Sequence, residues 1–281
     1  EDLDALARHL FGAFRPEPDA EIAIEVDPRV TSEEHIDVLG EAGFNRISLG
    51  VQDFSLDVQK AVARIQSAEQ TGRLIQRARA KGFSGINVDL IYGLPNQRAE
   101  GFEKTLDEII GFGVDRVAVY SFAYIPWVKE HQKKLDEGSL PDRESKFALF
   151  ALAREKLMEA GYEPIGMDHF AKPDDELARA RREGRLRRNF QGYTVIPAPD
   201  VIGLGISSIG DVRGAYVQNE KDLASYEQRI GAGRLAVVRG VRRDRDDEIR
   251  RDVIHDLMCN FRIDVRRIER DWEITFTDYF Q

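Results

Sequence analysis

In the first half of the chain, apolar residues recur at every second position in three short runs: Ile22, Ile24 and Val26; Ile47, Leu49 and Val51; Ile86, Val88 and Leu90. A period of two is the signature of a β-strand. With one further β-rich run, the pattern predicts strands over Glu21–Val26, Arg46–Gln52, Gly85–Ile91 and Arg116–Phe122. Helical spacing fills the gaps. Thr31-Ser-Glu-Glu34 and Ser67-Ala-Glu-Gln70 fit the capping box, and Gly43 and Gly82 stand where a helix C-cap is expected. This β-α alternation predicts a parallel sheet closing part of a (β/α) TIM-like barrel. A helix over Glu144–Ala160 leads to a fifth strand around Tyr162–Met167.

The residues between the apolar ones say more than the strand count. A parallel sheet covered on both faces reads as near-continuous Val, Ile and Leu. Here the alternate positions are Ala23 and Glu25; Ser48, Gly50 and Gln52; Asn87 and Asp89. Three successive strands therefore share one small and polar face. An ordinary barrel interior is packed with branched side chains, and its ligand sites lie at the C-terminal strand ends, where Glu25, Gln52 and Asp89 fall. The pattern predicts a ligand-binding face, set against the plainer reading that these three residues cap helices or bind backbone.

Beyond about residue 170 the regularity fades. Arg179, Arg181, Arg182, Arg185, Arg187 and Arg188 form a basic run interrupted by Glu183. It reads either as a solvated helix face or as a dock for a multiply carboxylated ligand, since guanidinium forks match carboxylates. A Gly/Pro-punctuated stretch follows, then helical patterns over Asp222–Gly231 and Arg245–Asn260. The expected division is a barrel portion over 1–190 and the start of a smaller, mainly helical domain over 191–281. Leu3, Leu6, Leu10 and Phe14 are already in helical register, and the C-terminal residues carry no stop signal, so both ends are expected to be cut from something longer.

Composition narrows the chemistry. The 281 residues carry 41 Lys+Arg against 50 Asp+Glu, a net charge of −9 that disfavours polyanionic nucleic acid as a partner. No apolar stretch is long enough for a membrane span. Cys259 is the one cysteine, which removes internal disulfides and any cluster ligated by several thiolates of this chain. Five scattered histidines, His9, His35, His131, His169 and His255, lack metal-ligand spacing. Gly203-Leu-Gly-Ile-Ser-Ser208 departs from the dinucleotide fingerprint at its third glycine and lacks a strand-turn-helix frame.

Four segments resemble the radical S-adenosylmethionine (SAM) superfamily: Glu25-Val-Asp-Pro-Arg29, Gly43 to Phe54, Val58 to Gln66, and Asn87 to Pro95. Gly166-Met-Asp-His-Phe-Ala-Lys-Pro-Asp-Asp-Glu-Leu-Ala178, Arg188-Asn-Phe-Gln-Gly-Tyr-Thr194 and Arg250 to Arg262 resemble one family within it, the oxygen-independent coproporphyrinogen III oxidases. The resemblance runs along essentially the whole chain. It implies an incomplete (β/α)6 barrel with a C-terminal helical domain, a [4Fe–4S] cluster and two SAM molecules. By motif, Glu25, Ala123 and Ile209 are expected at the cluster-bound SAM, and Gln52, Arg64 and Asp89 at the second, with Gln191 close by.

The implied reaction begins with reductive cleavage of SAM to a 5′-deoxyadenosyl radical, which removes a β-hydrogen from a propionate. Loss of CO2 and an electron leaves a vinyl group. Two such rounds turn coproporphyrinogen III into protoporphyrinogen IX. The resemblance further implies a cytoplasmic monomer served by an unidentified electron donor and acceptor. The family's CxxxCxxC motif is absent, and its cysteines are expected upstream of Glu1, leaving the chain inactive by itself. Two other readings stand beside this one: a haem-binding chaperone of the same superfamily, and an unrelated metal-dependent barrel lyase.

Overall fold

In the computed structural model, residues 2–281 are described and Glu1 lies outside them. They form two compact units, one ending at Ala178 and one of Arg179–Gln281.

The first unit runs α1 (Asp2–Phe14), β1 (Ala23–Val26), α2 (Glu33–Glu41), β2 (Arg46–Gln52), α3 (Leu56–Ala61), α4 (Ala68–Ala80), β3 (Gly85–Tyr92), α5 (Ala99–Gly111), β4 (Arg116–Ser121), α6 (Arg143–Glu159), β5 (Glu163–Ile165), β6 (His169–Ala171) and the start of α7 (Glu176–Arg182). Its sheet has the order β1-β2-β3-β4-β6-β5. The first four strands are parallel, whereas β6 is antiparallel to both β4 and β5. The four parallel strands lie where the alternation put them. The expected fifth strand is one arm of a short hairpin whose other arm, three residues long, is too brief to show a period.

The parity holds as well. Ile47, Leu49 and Val51 on β2 and Ile86, Val88 and Leu90 on β3 are buried. They pack with Ile36 and Leu39 of α2, Leu74 and Ile75 of α4, and Phe102 and Leu106 of α5. One sheet face thus meets the helices, and the other is not part of this core. The start of α2 differs from the expected capping box. Ser32, not Thr31, is the N-cap, and it exchanges hydrogen bonds with His35. Thr31 instead turns its hydroxyl to the Asp27 carbonyl. Ser67 caps α4 through the Gln70 amide, but the expected capping box is only half formed, since Gln70 Nε2 donates to the Pro28 carbonyl at 2.7 Å and not to Ser67.

The polar face is closed at the strand starts by ions. Arg46 reaches Glu21 at 3.0 Å and Glu176 at 2.8 Å, while Arg116 reaches Asp175 at 2.9 Å and Glu176 at 2.8 Å. Arg46 pairs in register with Gly85. A Cβ at Gly85 would lie 2.2 Å from Arg46 Nη1, so the glycine leaves the room in which that guanidinium sits.

The second unit continues with β7 (Arg187–Asn189), β8 (Gly192–Thr194), β9 (Ile209–Val212), β10 (Ala215–Asn219), α8 (Leu223–Gly231), β11 (Val237–Arg242), α9 (Arg245–Asn260), α10 (Val265–Trp272) and α11 (Phe276–Tyr279). β7 and β8 form a hairpin, and β9, β10 and β11 a three-stranded antiparallel sheet. The two longer helices match the expected periodicity. The strands were concealed by their glycines and by polar residues on partly exposed faces.

Candidate functional site

On the polar face of the first unit, register pairs align Gly50, Asp89, Ala118 and His169 in one row across β2, β3, β4 and β6. The adjacent row toward the strand starts aligns Glu25, Ser48 and Asn87. Hydrogen bonds join the rows. Asn87 Nδ2 donates to Ser48 Oγ at 2.6 Å and to Asp89 Oδ1 at 2.8 Å, and Ser48 Oγ donates to Asp89 Oδ2 at 3.2 Å. Burial raises the Asp89 carboxyl above the usual carboxylate range, and the Glu25 charge works in the same direction. The two amide and hydroxyl bonds, and His169, pull it back in part. The structure thus brings Glu25 and Asp89 together on one face, as the parity predicted.

Gln52 and Arg64 join them at the strand ends. A register shift between Gly50 and Gln52 ends the pairing of β2, and Gln52 adopts a left-handed φ of 68°, a conformation uncommon outside glycine. Its amide then lies over Gly50, where an added Cβ would be 3.0 Å from Nε2. Arg64 donates from Nη2 to the Gly50 carbonyl at 3.0 Å and places Nη1 3.3 Å from Asp27. Asp27 lies well below the usual carboxylate range, chiefly through hydrogen bonds from Arg29.

Gln52 Oε1, Arg64 Nε and Asn87 Oδ1 are buried without a hydrogen-bond partner. Polar atoms desolvated on folding without compensation are unfavourable unless a ligand supplies the missing partner. Three of them, on β2, on β3 and on the arginine that bonds the Gly50 carbonyl, match the mixed donors and acceptors of SAM, whose amino acid and ribose are polar. These residues fit that cofactor.

Ala123 is exposed in the segment after β4, where its carbonyl accepts from Gln132 Nε2 at 3.0 Å. Ile209 opens β9, and Gln191 is exposed at the tip of the β7–β8 hairpin; both belong to the second unit. His169, at the start of β6, is a partly buried histidine. Its Nδ1 lies 2.7 Å from Asp168 Oδ1, and its ring meets Tyr120 edge-on at 5.7 Å.

Sequence reading missed the buried polar scaffold beneath this site. Gln66 Nε2 donates to the Val51 carbonyl, and Gln59 joins the Asp53 and Gln66 carbonyls at 2.9 and 2.8 Å. Gln97 donates to Asp53 at 2.6 Å and to the Ile91 carbonyl at 2.9 Å, and accepts from the Gly93 amide. Burial raises Asp53, and hydrogen bonds from Gln97, Ser55 and Thr105 lower it. Glutamines in helical or loop segments look like surface residues, so only the spacing of apolar neighbours such as Val58 hints at their burial.

A [4Fe–4S] cluster does not fit the residues present. Cys259 is fully buried on α9, its thiol is pushed up to about 11 by burial, and no group of three potential metal ligands occurs among the described residues.

Open α/β sheets that carry a polar ligand face at their strand ends define a class of cofactor-binding proteins, and the Radical SAM superfamily model matches residues 1–109. The oxygen-independent coproporphyrinogen III oxidase of Escherichia coli is 46% identical over 278 residues, covering 99% of this chain and 61% of that protein. The Synechocystis protein of the same name is 42% identical over 284 residues. The Thermostichus vulcanus one is 44% identical over 269 residues, covering 95% of this chain and 83% of the relative. A solved structure of the Escherichia coli coproporphyrinogen III oxidase, described as a radical SAM enzyme, superimposes with a TM-score of 0.95 at 45% identity. It covers 99% of this chain and 64% of that one. The chain belongs to the oxygen-independent coproporphyrinogen III oxidase family. It spans about three fifths of the length of the first of these curated relatives (61%).

Proposed function

We propose that this chain forms the SAM- and substrate-binding body of an enzyme that oxidatively decarboxylates two propionates of coproporphyrinogen III, giving protoporphyrinogen IX without oxygen. The observation that carries this reading is the set of orphaned polar atoms, Gln52 Oε1, Arg64 Nε and Asn87 Oδ1, around the Asp89 carboxylate. SAM, when bound, supplies a carbon-centred radical strong enough to take hydrogen from an unactivated propionate carbon.

The chain's own residues have three tasks. Asp89 accepts hydroxyl hydrogens, and its hydrogen bonds to Asn87 and Ser48 fix its rotamer before a ligand arrives. Arg64, pinned by Asp27 and the Gly50 carbonyl, presents positive charge to a methionyl carboxylate. Glu25 and Gln52 complete the polar lining, with Ala123, Gln191 and Ile209 as further contacts carried by family motif, and two SAM molecules share these residues. The resident cluster, the electron donor and the acceptor are supplied outside the residues of this chain, and the working enzyme is a cytoplasmic monomer. Among the described residues no helix is long and apolar enough to cross a membrane.

The test is an anaerobic assay of the whole protein with coproporphyrinogen III, SAM and a reductant, reading vinyl formation. Two vinyl groups per substrate are expected. Stable retention of haem with no turnover would transfer the reading to a haem-carrying chaperone.

A further inference from the structure

Half-buried arginines in this chain are almost all matched to carboxylates: Arg46 and Arg116 to Glu176, Arg64 to Asp27, Arg77 to Asp37, Arg243 to Asp211, and Arg267 to Asp252 and Asp256. Arg188 is different. Its Nε is sealed from water without a hydrogen-bond partner, and no carboxylate among the described residues pairs with its guanidinium. Desolvating part of a guanidinium without an acceptor is unfavourable. The carboxylates of α9, the helix packed against β7, do not relieve it, because Asp252 and Asp256 are both taken by Arg267 at 3.0 and 2.9 Å.

The side chain is nevertheless held in place. Arg188 and Tyr193 are register partners in the β7–β8 hairpin, and the guanidinium lies 5.4 Å from the Tyr193 ring centre. Tyr193 is itself anchored, its hydroxyl donating to the Met258 carbonyl at 3.1 Å. At the hairpin tip, Asn189 Oδ1 accepts the amides of Gln191 and Gly192, and Phe190 meets Tyr216 edge-on at 5.2 Å. An aromatic face steadies a guanidinium while leaving its in-plane N–H groups for an acceptor. The hairpin is therefore a rigid mount for a cation that has no anion.

We infer that Arg188, stacked on Tyr193 in the β7–β8 hairpin, is a carboxylate-docking residue that takes a propionate of the tetrapyrrole substrate. The inference rests on the substrate named in the proposed function. A tetracarboxylate macrocycle carries more propionates than react at one time, and a fork that grips one of them orients the ring without entering the chemistry. The exposed arginine nearby, Arg185, is already engaged by Glu183 and has no such role.

The probes are coproporphyrin III, the oxidised and fluorescent tetracarboxylic acid, and its tetramethyl ester, titrated into the 281-residue chain. The wild type is expected to prefer the free acid. Arg188→Gln should weaken free-acid binding roughly 10- to 100-fold, the loss of a charge-assisted bidentate contact, and leave ester binding unchanged. Arg188→Lys, which keeps the charge without the fork, should fall between, and Arg185→Gln should match the wild type. Free-acid affinity unchanged in Arg188→Gln, or Arg188→Lys equal to the wild type, would overturn the docking role while the substrate reading stands. A wild-type chain that binds the ester as well as the acid would instead sink the substrate reading, and this inference with it.

Discussion

Asp89 is the residue on which binding and stability pull in opposite directions. Its carboxyl is raised above the ordinary 3.8 by burial and by Glu25, so the folded chain holds its proton at pH values where the unfolded chain has released it. Over that window the native state binds more protons, and stability falls as pH rises. Asp89→Asn is therefore expected to raise the melting temperature at neutral pH and to flatten its decline above about pH 4 relative to the wild type, read by calorimetry. The same variant should bind SAM on the order of 10- to 100-fold more weakly, read by isothermal titration, because an amide nitrogen replaces one acceptor oxygen. A melting temperature that drops instead would show that the carboxylate is a structural partner. Such a trade of stability for function is usual where a site is built ahead of its ligand.

At the scale of elements, the loops after β2 and β3 are held by side chains that sequence reading passed over. Gln97 ties Asp53, the Ile91 carbonyl and the Gly93 amide into one knot. Gln97→Ala leaves buried Asp53 short of a donor and should cost about 2–4 kcal/mol in urea unfolding, with the denaturant slope unchanged. The four parallel strands and their polar face were legible because period two is imposed by the pleat itself, and Glu25 and Asp89 fell on that face by parity alone, whereas Gln52 follows a register shift and a left-handed φ that parity does not foresee. The antiparallel arm at His169–Ala171 was not legible, since three residues cannot display a period. Neither were the ion pairs of Arg46, Arg116 and Glu176, whose members are up to 130 residues apart in sequence. Ser32 displaced Thr31 as the α2 cap because a capping box moves one residue without changing the apolar pattern.

For the whole molecule, one buried cysteine in 281 residues sets a clear limit. Anaerobic incubation of this chain with iron and sulfide is expected to yield no visible charge-transfer absorption and no SAM cleavage, since three thiolates are needed and Cys259 is sealed in α9. A cluster spectrum would overturn that. The net charge of −9 disfavours a nucleic-acid backbone as the partner of Arg188. The arginine floor of the sheet carries a different lesson, for anyone scanning the gene by saturation mutagenesis. Gly85 touches no ligand, yet an alanine there must unseat Arg46 from Glu176 and should lower stability by about 1–3 kcal/mol in urea unfolding. A growth selection sensitive to stability would therefore score Gly85 as well as Asp89. Only a melting curve set against a binding isotherm would separate them, one substitution emptying a ligand site and the other evicting a neighbour.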